Sequence, residues 1–266
     1  MTCCGASQAA ATGVKREMAM LRLRRRARVR TARAHRYLRA TVGSRVKQVL
    51  LFIAGLLFRV KVKVKGTVAL PLRQGFIVAA NHLNGADSFV LLIGLKTRLF
   101  FVTSAKWFVG RISRFFMTHV AESLPVQTGD PVGSVVGLRR CIHTLEEGGS
   151  VGIFPEGDFN LSGRVETLNP GAAYLSARTG KPVLPVIVQN LRLDTKVDQS
   201  NINRECWTGF RSVAENLLNP DIELLVGDPV LPDPEPPDGP DDLRREVSRI
   251  NQELRQRFDE LAAVGH

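Results

Sequence analysis

Phe76-Ile77-Val78-Ala79-Ala80-Asn81-His82-Leu83-Asn84-Gly85-Ala86-Asp87-Ser88-Phe89-Val90-Leu91-Leu92-Ile93 decides how this chain is read. Phe76 to Ala80 is a short unbroken apolar run, as in a strand buried on both faces. Asn84-Gly85 interrupts the pattern, and Ser88 to Ile93 resumes it as an apolar helix. His82 and Asp87 straddle the junction. On a continuous helix five residues turn about 500°, roughly 140° net, so the two side chains would diverge. A turn between them lets imidazole and carboxylate meet. Asp87 then falls near the helix start, where an N-cap is its plainer role.

Outward from this unit the pattern alternates. Strand-like runs recur near 60–65, 99–103, 120–126, 150–154, 183–188 and 222–226, and helix-like runs near 88–96, 131–147 and 171–179. Such alternation predicts an α/β fold with a central mixed sheet flanked by helices. Pro229 to Pro240 is rich in Pro and Asp and reads as a stiff linker. Beyond it Leu243, Val247, Ile250, Leu254, Phe258 and Leu261 recur every three or four residues, predicting a C-terminal amphipathic helix. Packing back on the domain is the first expectation for that helix, and pairing with a second chain the other. The expected organisation is a basic, helical N-terminal extension over 1–43, a catalytic domain over 44–230, the linker over 231–240 and the helix over 241–263.

Charge is divided unevenly. Residues 1–65 carry 17 Lys and Arg against one acid, Glu17, a net +16, while the remainder is −4 and the whole chain +12. Arginine-rich residues 21–39 suit an anionic lipid surface or nucleic acid. Only Tyr37 is present there for base stacking and no reading motif appears, which disfavours nucleic acid. Val49 to Phe58 is ten apolar residues, about 15 Å as a helix against a hydrocarbon core of about 30 Å. That is too short to span. Flanked by Arg45, Lys47, Arg59 and Lys61, the segment 47–59 suits a helix dipping into one leaflet, with a core helix as the alternative. No signal peptide is read, and Met18 or Met20 are alternative starts. Cys3 and Cys4 are candidate lipidation sites, though a leader without structure is the simpler reading. The four cysteines, at 3, 4, 141 and 206, show neither zinc spacing nor a disulfide framework, in keeping with a reducing cytoplasmic face.

The chemistry lies in two motifs. A hydroxyl is a poor nucleophile near neutral pH, so an imidazole must take its proton as it attacks an activated carbonyl, and a carboxylate on the far ring nitrogen would fix the tautomer. His82 and Asp87 supply that pair. Phe154-Pro155-Glu156-Gly157, which is rarer by chance than His-x4-Asp, follows the apolar strand Ser150 to Phe154. Gly148-Gly149 and Gly152 precede or lie in that strand and do not open a helix, so they read as a turn and not as a phosphate loop.

From Lys63 to Val230 the chain resembles the glycerolipid acyltransferases typified by 1-acylglycerol-3-phosphate acyltransferase. Asn81-His82-x4-Asp87 and Phe154-Pro155-Glu156-Gly157 carry the likeness, joined by Gly180-Lys181-Pro182-Val183-Leu184-Pro185-Val186 and by Leu224 to Val230. The resemblance implies that His82 is the general base and Asp87 orients it. Asn81, Phe154, Pro155, Glu156 and Gly157 would bind substrates, Glu156 with Gly157 positioning the acceptor and backbone amides near Gly157 holding an oxyanion. It further implies a thioester donor, acyl-CoA or acyl carrier protein, a lysophospholipid acceptor at an anionic membrane surface, and no bound cofactor or metal.

The chain also departs from the family. Thr128 and Asp158-Phe159 stand where the second block ends in arginine and the third continues Thr-Arg, and Asn84 replaces a small polar residue of the first block. A carboxylate about 4 Å from a phosphate charge is unfavourable by about 4 kcal/mol at an effective dielectric near 20. Two expectations follow. Either Arg164, Arg139 or Arg140 supplies the missing guanidinium, Arg164 being counted with the substrate-binding residues, or the acceptor lacks that phosphate or carries an amine.

Overall fold

The structure, a computed structural model, describes residues 62–66, 75–108, 114, 117–118, 122–127, 131–160, 162, 165–192, 211, 215–216, 219 and 221–264. The basic extension, segment 47–59, Cys3, Cys4, Thr128, Arg164 and Cys206 lie outside them.

Among the described residues seven strands form one mixed sheet. They are β1 (Lys63–Lys65), β2 (Ile77–Ala80), β3 (Leu99–Ser104), β4 (Leu124–Val126), β5 (Ser150–Ile153), β6 (Val183–Gln189) and β7 (Glu223–Val226), in the order β1-β7-β6-β2-β5-β3-β4. β2, β3, β4, β5 and β6 run parallel, whereas β7 pairs antiparallel with β6 and parallel with β1. The expected α/β mixed sheet is therefore present. Its parallel centre is made of apolar runs such as Ile77-Val78-Ala79-Ala80 because both faces are covered.

Alternate residues of each central strand serve opposite faces. Ile77, Ala79, Val183, Ile187 and Val151 pack with three helices: α2 (Pro131–Glu146), α3 (Gly171–Thr179) and α4 (Pro240–Val264). Phe76, Val78, Ala80, Leu184 and Val186 face α1 (Asp87–Leu95), which contributes Val90, Leu91 and Leu95. α4 buries Ile250, Leu254 and Phe258 against α3 and β6. Each such side chain is worth about 1.5–3 kcal/mol on full burial, so the helix packs back on its own domain. At the β1 edge Lys63 and Lys65 both reach the Glu223 carboxylate, at 3.7 and 2.7 Å, and hold it below the usual carboxylate range, chiefly through Lys65.

Two glycines permit close approaches. Gly75 sits at φ +68°, where a Cβ would stand 2.4 Å from the Gly149 carbonyl, so the turn at Gly148-Gly149 can pass beside the entry to β2. Gly152 lies inside β5, directly opposite Phe101 of β3. A Cβ there would stand 2.6 Å from two atoms of the Phe101 ring, which occupies that space. Gly152→Ala is expected to destabilise the fold by about 1–3 kcal/mol through overpacking. The readout is a lowered Tm, partly restored by adding Phe101→Leu. An unchanged Tm would mean the ring has room to retreat.

Candidate active site

In a parallel sheet the carboxyl ends of neighbouring strands open onto one edge. β2 and β5 are neighbours, and His82 follows the first while Phe154 to Gly157 follow the second. The topology therefore brings together motifs separated by more than seventy positions.

The chain leaves β2 through Asn81, turns at Asn84-Gly85-Ala86 and enters α1 at Asp87. Asn84 builds the turn. Its Oδ1 accepts from the Ala86 N–H at 2.8 Å, and its Nδ2 donates to the Arg192 carbonyl at 3.1 Å. Asp87 is not the N-cap, a position taken by Ala86 with no side-chain cap bond. The Asp87 carboxylate points back into the turn, where Oδ2 accepts from the N–H groups of Leu83 and Asn84 at 2.7 and 2.9 Å. The same oxygen lies 2.8 Å from His82 Nδ1. A carboxylate can only accept, so Nδ1 carries a proton, and in the neutral imidazole it is then Nε2 that has the lone pair. Asp87 is fully buried, whereas the His82 side chain retains 19% exposure.

Aromatic rings fix the imidazole further. Phe154 stacks on it at 4.0 Å with 9° between planes, and Phe101 stacks on Phe154 at 5.8 Å with the same angle. The column thus runs from β3 over Gly152 to the base. Phe159 meets the imidazole at 4.4 Å, tilted by 51°. The Asn160 N–H donates to the His82 carbonyl at 2.7 Å, tying the residues after the Phe-Pro-Glu-Gly turn to the histidine backbone.

That turn is clamped by Asn169. Its N–H and Nδ2 donate to the Pro155 carbonyl at 2.9 and 2.8 Å, and Nδ2 also reaches the Glu156 carbonyl at 3.3 Å. Gly157 adopts φ +84°, a left-handed conformation that glycine takes without steric cost. The Glu156 carboxyl group has both oxygens shielded from solvent, and neither makes a hydrogen bond of good geometry. Burial pushes it up to about 7. Glu166 and Asp87 add to the effect, while the Asn160 side chain and His82 backbone offset part of it.

Several residues read from sequence sit differently from expectation. Asn81 is 1% exposed, and its amide brackets Val188 of β6, donating to the carbonyl at 3.1 Å and accepting from the N–H at 2.7 Å. It extends the β2–β6 pairing. The Gly157 N–H is used within the turn, on the Phe154 carbonyl at 3.2 Å, so it is not free to hold an oxyanion. Pro155 is buried with its carbonyl taken by Asn169, and Phe154 is packed on the base. Arg139 and Arg140 lie exposed on α2, and Arg164 falls outside the described residues. Cys141 is fully buried, its thiol pushed up to about 12 by burial, and so is no nucleophile.

Phe101, Gly152, Asn160 and Asn169 shape the site without having been singled out for it by sequence, and Phe159, noted only as a departure from the family pattern, packs on the base. Among the described residues no group of three or more His, Cys, Asp and Glu side chains is gathered to hold a metal ion. No described helix is long and apolar enough to cross a membrane.

Residues 61–189 match the family model described as Acyltransferase. The chain is 31% identical over 127 residues, 47% of its own length, to the chloroplastic 1-acyl-sn-glycerol-3-phosphate acyltransferase LPAT1 of Arabidopsis thaliana, of which it covers 35%. It is 26% identical over 144 residues, 54% of its length, to a 1-acyl-sn-glycerol-3-phosphate acyltransferase of Borreliella burgdorferi, of which it covers 55%. The matches thus span from about a third to about half of these relatives. The crystal structure of the 1-acyl-sn-glycerophosphate acyltransferase PlsC from Thermotoga maritima shares the fold, with TM-score 0.54 and 20% identity over 85% of this chain and 83% of that one. With a sheet that sets a histidine-aspartate pair beside a Phe-Pro-Glu-Gly turn, residues 61–189 are similar to the acyltransferase family in sequence and in fold.

Proposed function

We propose that this protein transfers a fatty acyl group from a thioester, acyl-CoA or acyl carrier protein, to a hydroxyl of a lysoglycerolipid. The acceptor put forward first is 1-acylglycerol-3-phosphate, in phospholipid synthesis at the cytoplasmic face of a membrane. The observation that carries the reading is the 2.8 Å contact between His82 Nδ1 and Asp87 Oδ2, which leaves Nε2 as a base at the rim of the sheet. The acceptor O–H gives its proton to Nε2 as its oxygen forms a bond to the thioester carbonyl carbon. The tetrahedral intermediate collapses, the C–S bond breaks, and the leaving thiolate takes the proton from the imidazolium. Asp87, against Nδ1, stabilises that cation. Glu156, with Gly157, is the residue proposed to position the acceptor. Arg164 is the cation proposed to meet its phosphate.

A second reading has one specific observation behind it. Phe159 packs on His82 where the family pattern has an arginine, and Asp158 beside it is exposed. This favours an acceptor without a phosphate at that place, or one bearing an amine. A catalytically silent lipid-binding role is disfavoured by the complete His82–Asp87 pairing.

Three outcomes are expected. His82→Ala and Asp87→Asn each lower product formation by about a hundredfold or more, the scale of lost general-base catalysis, in a thioester-consumption assay with lipid analysis. Wild-type turnover in both variants would exclude the mechanism. In a panel of phosphorylated, zwitterionic and amino lyso-lipids, strict preference for 1-acylglycerol-3-phosphate supports the first reading, and equal use of neutral or amino acceptors supports the second. Finally, Glu156 is raised above its unfolded value, so the folded state binds the proton more tightly and stability falls as pH climbs from about 4.5 to about 7. Glu156→Gln should lose that part of the decline, as read by Tm against pH. Parallel curves for variant and wild type would show that Glu156 titrates normally.

A further inference from the structure

We infer that Phe159 is a positioning residue for the general base, holding the His82 imidazole so that Nε2 is aimed into the cleft. The inference rests on the acyl-transfer reading above for its kinetic part only. Three contacts determine where the imidazole lies. Asp87 Oδ2 fixes the Nδ1 corner at 2.8 Å, and the parallel Phe154 ring fixes the plane at 4.0 Å. Neither stops the ring from sliding within that plane or swinging about the Asp87 contact. Phe159, at 4.4 Å and tilted by 51°, blocks that remaining freedom.

The way Phe159 is held supports this role. Its neighbour Asn160 is bonded through its N–H to the carbonyl of His82 itself, so the positioning ring and the positioned ring share one backbone anchor. Asn160 Oδ1 also accepts from the Ser162 N–H at 2.9 Å, which gives the segment a local turn of its own. Phe159 is half-buried although it lies in a loop, between exposed Asp158 and half-buried Asn160. A phenylalanine held at a cleft by contact with an imidazole gives up rotamer freedom, and a directed base is what that ordering secures.

The test uses the full chain with Phe159→Ala, Phe159→Leu and Phe159→Tyr, reading kcat and KM separately, Tm, and the His82 ring-proton NMR signals identified by their loss in His82→Ala. Phe159→Ala should lower kcat by about tenfold with KM within about twofold, because misorientation of a reacting group acts on turnover. Phe159→Tyr keeps the flat ring and should restore most of the rate. The His82 ring protons should move downfield when the aromatic ring is lost. Where the alanine variant fails to fold, Phe159→Leu, which fills space without a ring, gives the same reading in smaller measure. Unchanged kcat, a change in KM alone, or a tyrosine variant no better than alanine would overturn the inference. If the wild type transfers no acyl group to any acceptor, the functional proposal fails instead, and the His82 signals alone decide whether Phe159 holds the ring.

Discussion

One oxygen atom holds this site together. Asp87 Oδ2 accepts from two backbone N–H groups and contacts the His82 ring, so the bend between β2 and α1 and the state of the base have a common origin. A fully buried carboxylate is tolerated only where donors compensate it. Here the donors to Oδ2 are supplied by the turn that the carboxylate itself stabilises, while the buried Oδ1 makes no hydrogen bond. Loop geometry and imidazole tautomer are therefore one structural property. The bend must lie where it does because Asn81 locks the end of β2 to Val188, fixing the point at which the chain leaves the sheet.

From the opposite side the base is held by the sheet. Phe101 faces Gly152 across the β3–β5 pairing, and the missing side chain lets its ring lie over the strand. Phe154 stacks on Phe101, and His82 on Phe154. Close-packed interiors transmit displacement because they contain few voids to absorb it. A residue two strands away from the histidine thereby helps set its position. Packing that appears to serve only the core also serves the chemistry.

Much of the fold was legible in the sequence, and for a definite reason. Period and length of apolar runs determine whether a segment is buried on one face or two, and Ile77 to Ala80, Ser150 to Ile153 and Val183 to Gln189 declare themselves in this way. The junction at Asn84-Gly85 was legible because five helical residues cannot bring His82 and Asp87 together. The aromatic column was not. It depends on the β3–β5 register, which sets Phe101 opposite Gly152, and no local pattern encodes a pairing between strands nearly fifty residues apart. The pairing of Asn81 with Val188 is hidden for a related reason. The residue's place in a motif suggests a ligand contact, while its partner is a peptide group more than a hundred residues on. Of the backbone amides near Gly157, that of Gly157 itself is used by the turn, a local bond that the motif letters do not reveal.

The electrostatics of the cleft constrain the proposed acceptor. Glu156 is raised to about 7 chiefly by burial, with Glu166 and Asp87 adding to it, so the environment already resists one more negative charge. A phosphate drawn close to these groups would raise the cost further unless a cation came with it. On the proposed reading, a phosphorylated acceptor would bring its hydroxyl to His82 while its phosphate stays apart from these carboxyls. An acceptor whose charged end is absent or positive meets no such constraint. The same carboxyls then become favourable neighbours. The polarity of the acceptor's far end, more than the reaction at its hydroxyl, is what the replacement of Thr-Arg by Asp158-Phe159 bears upon.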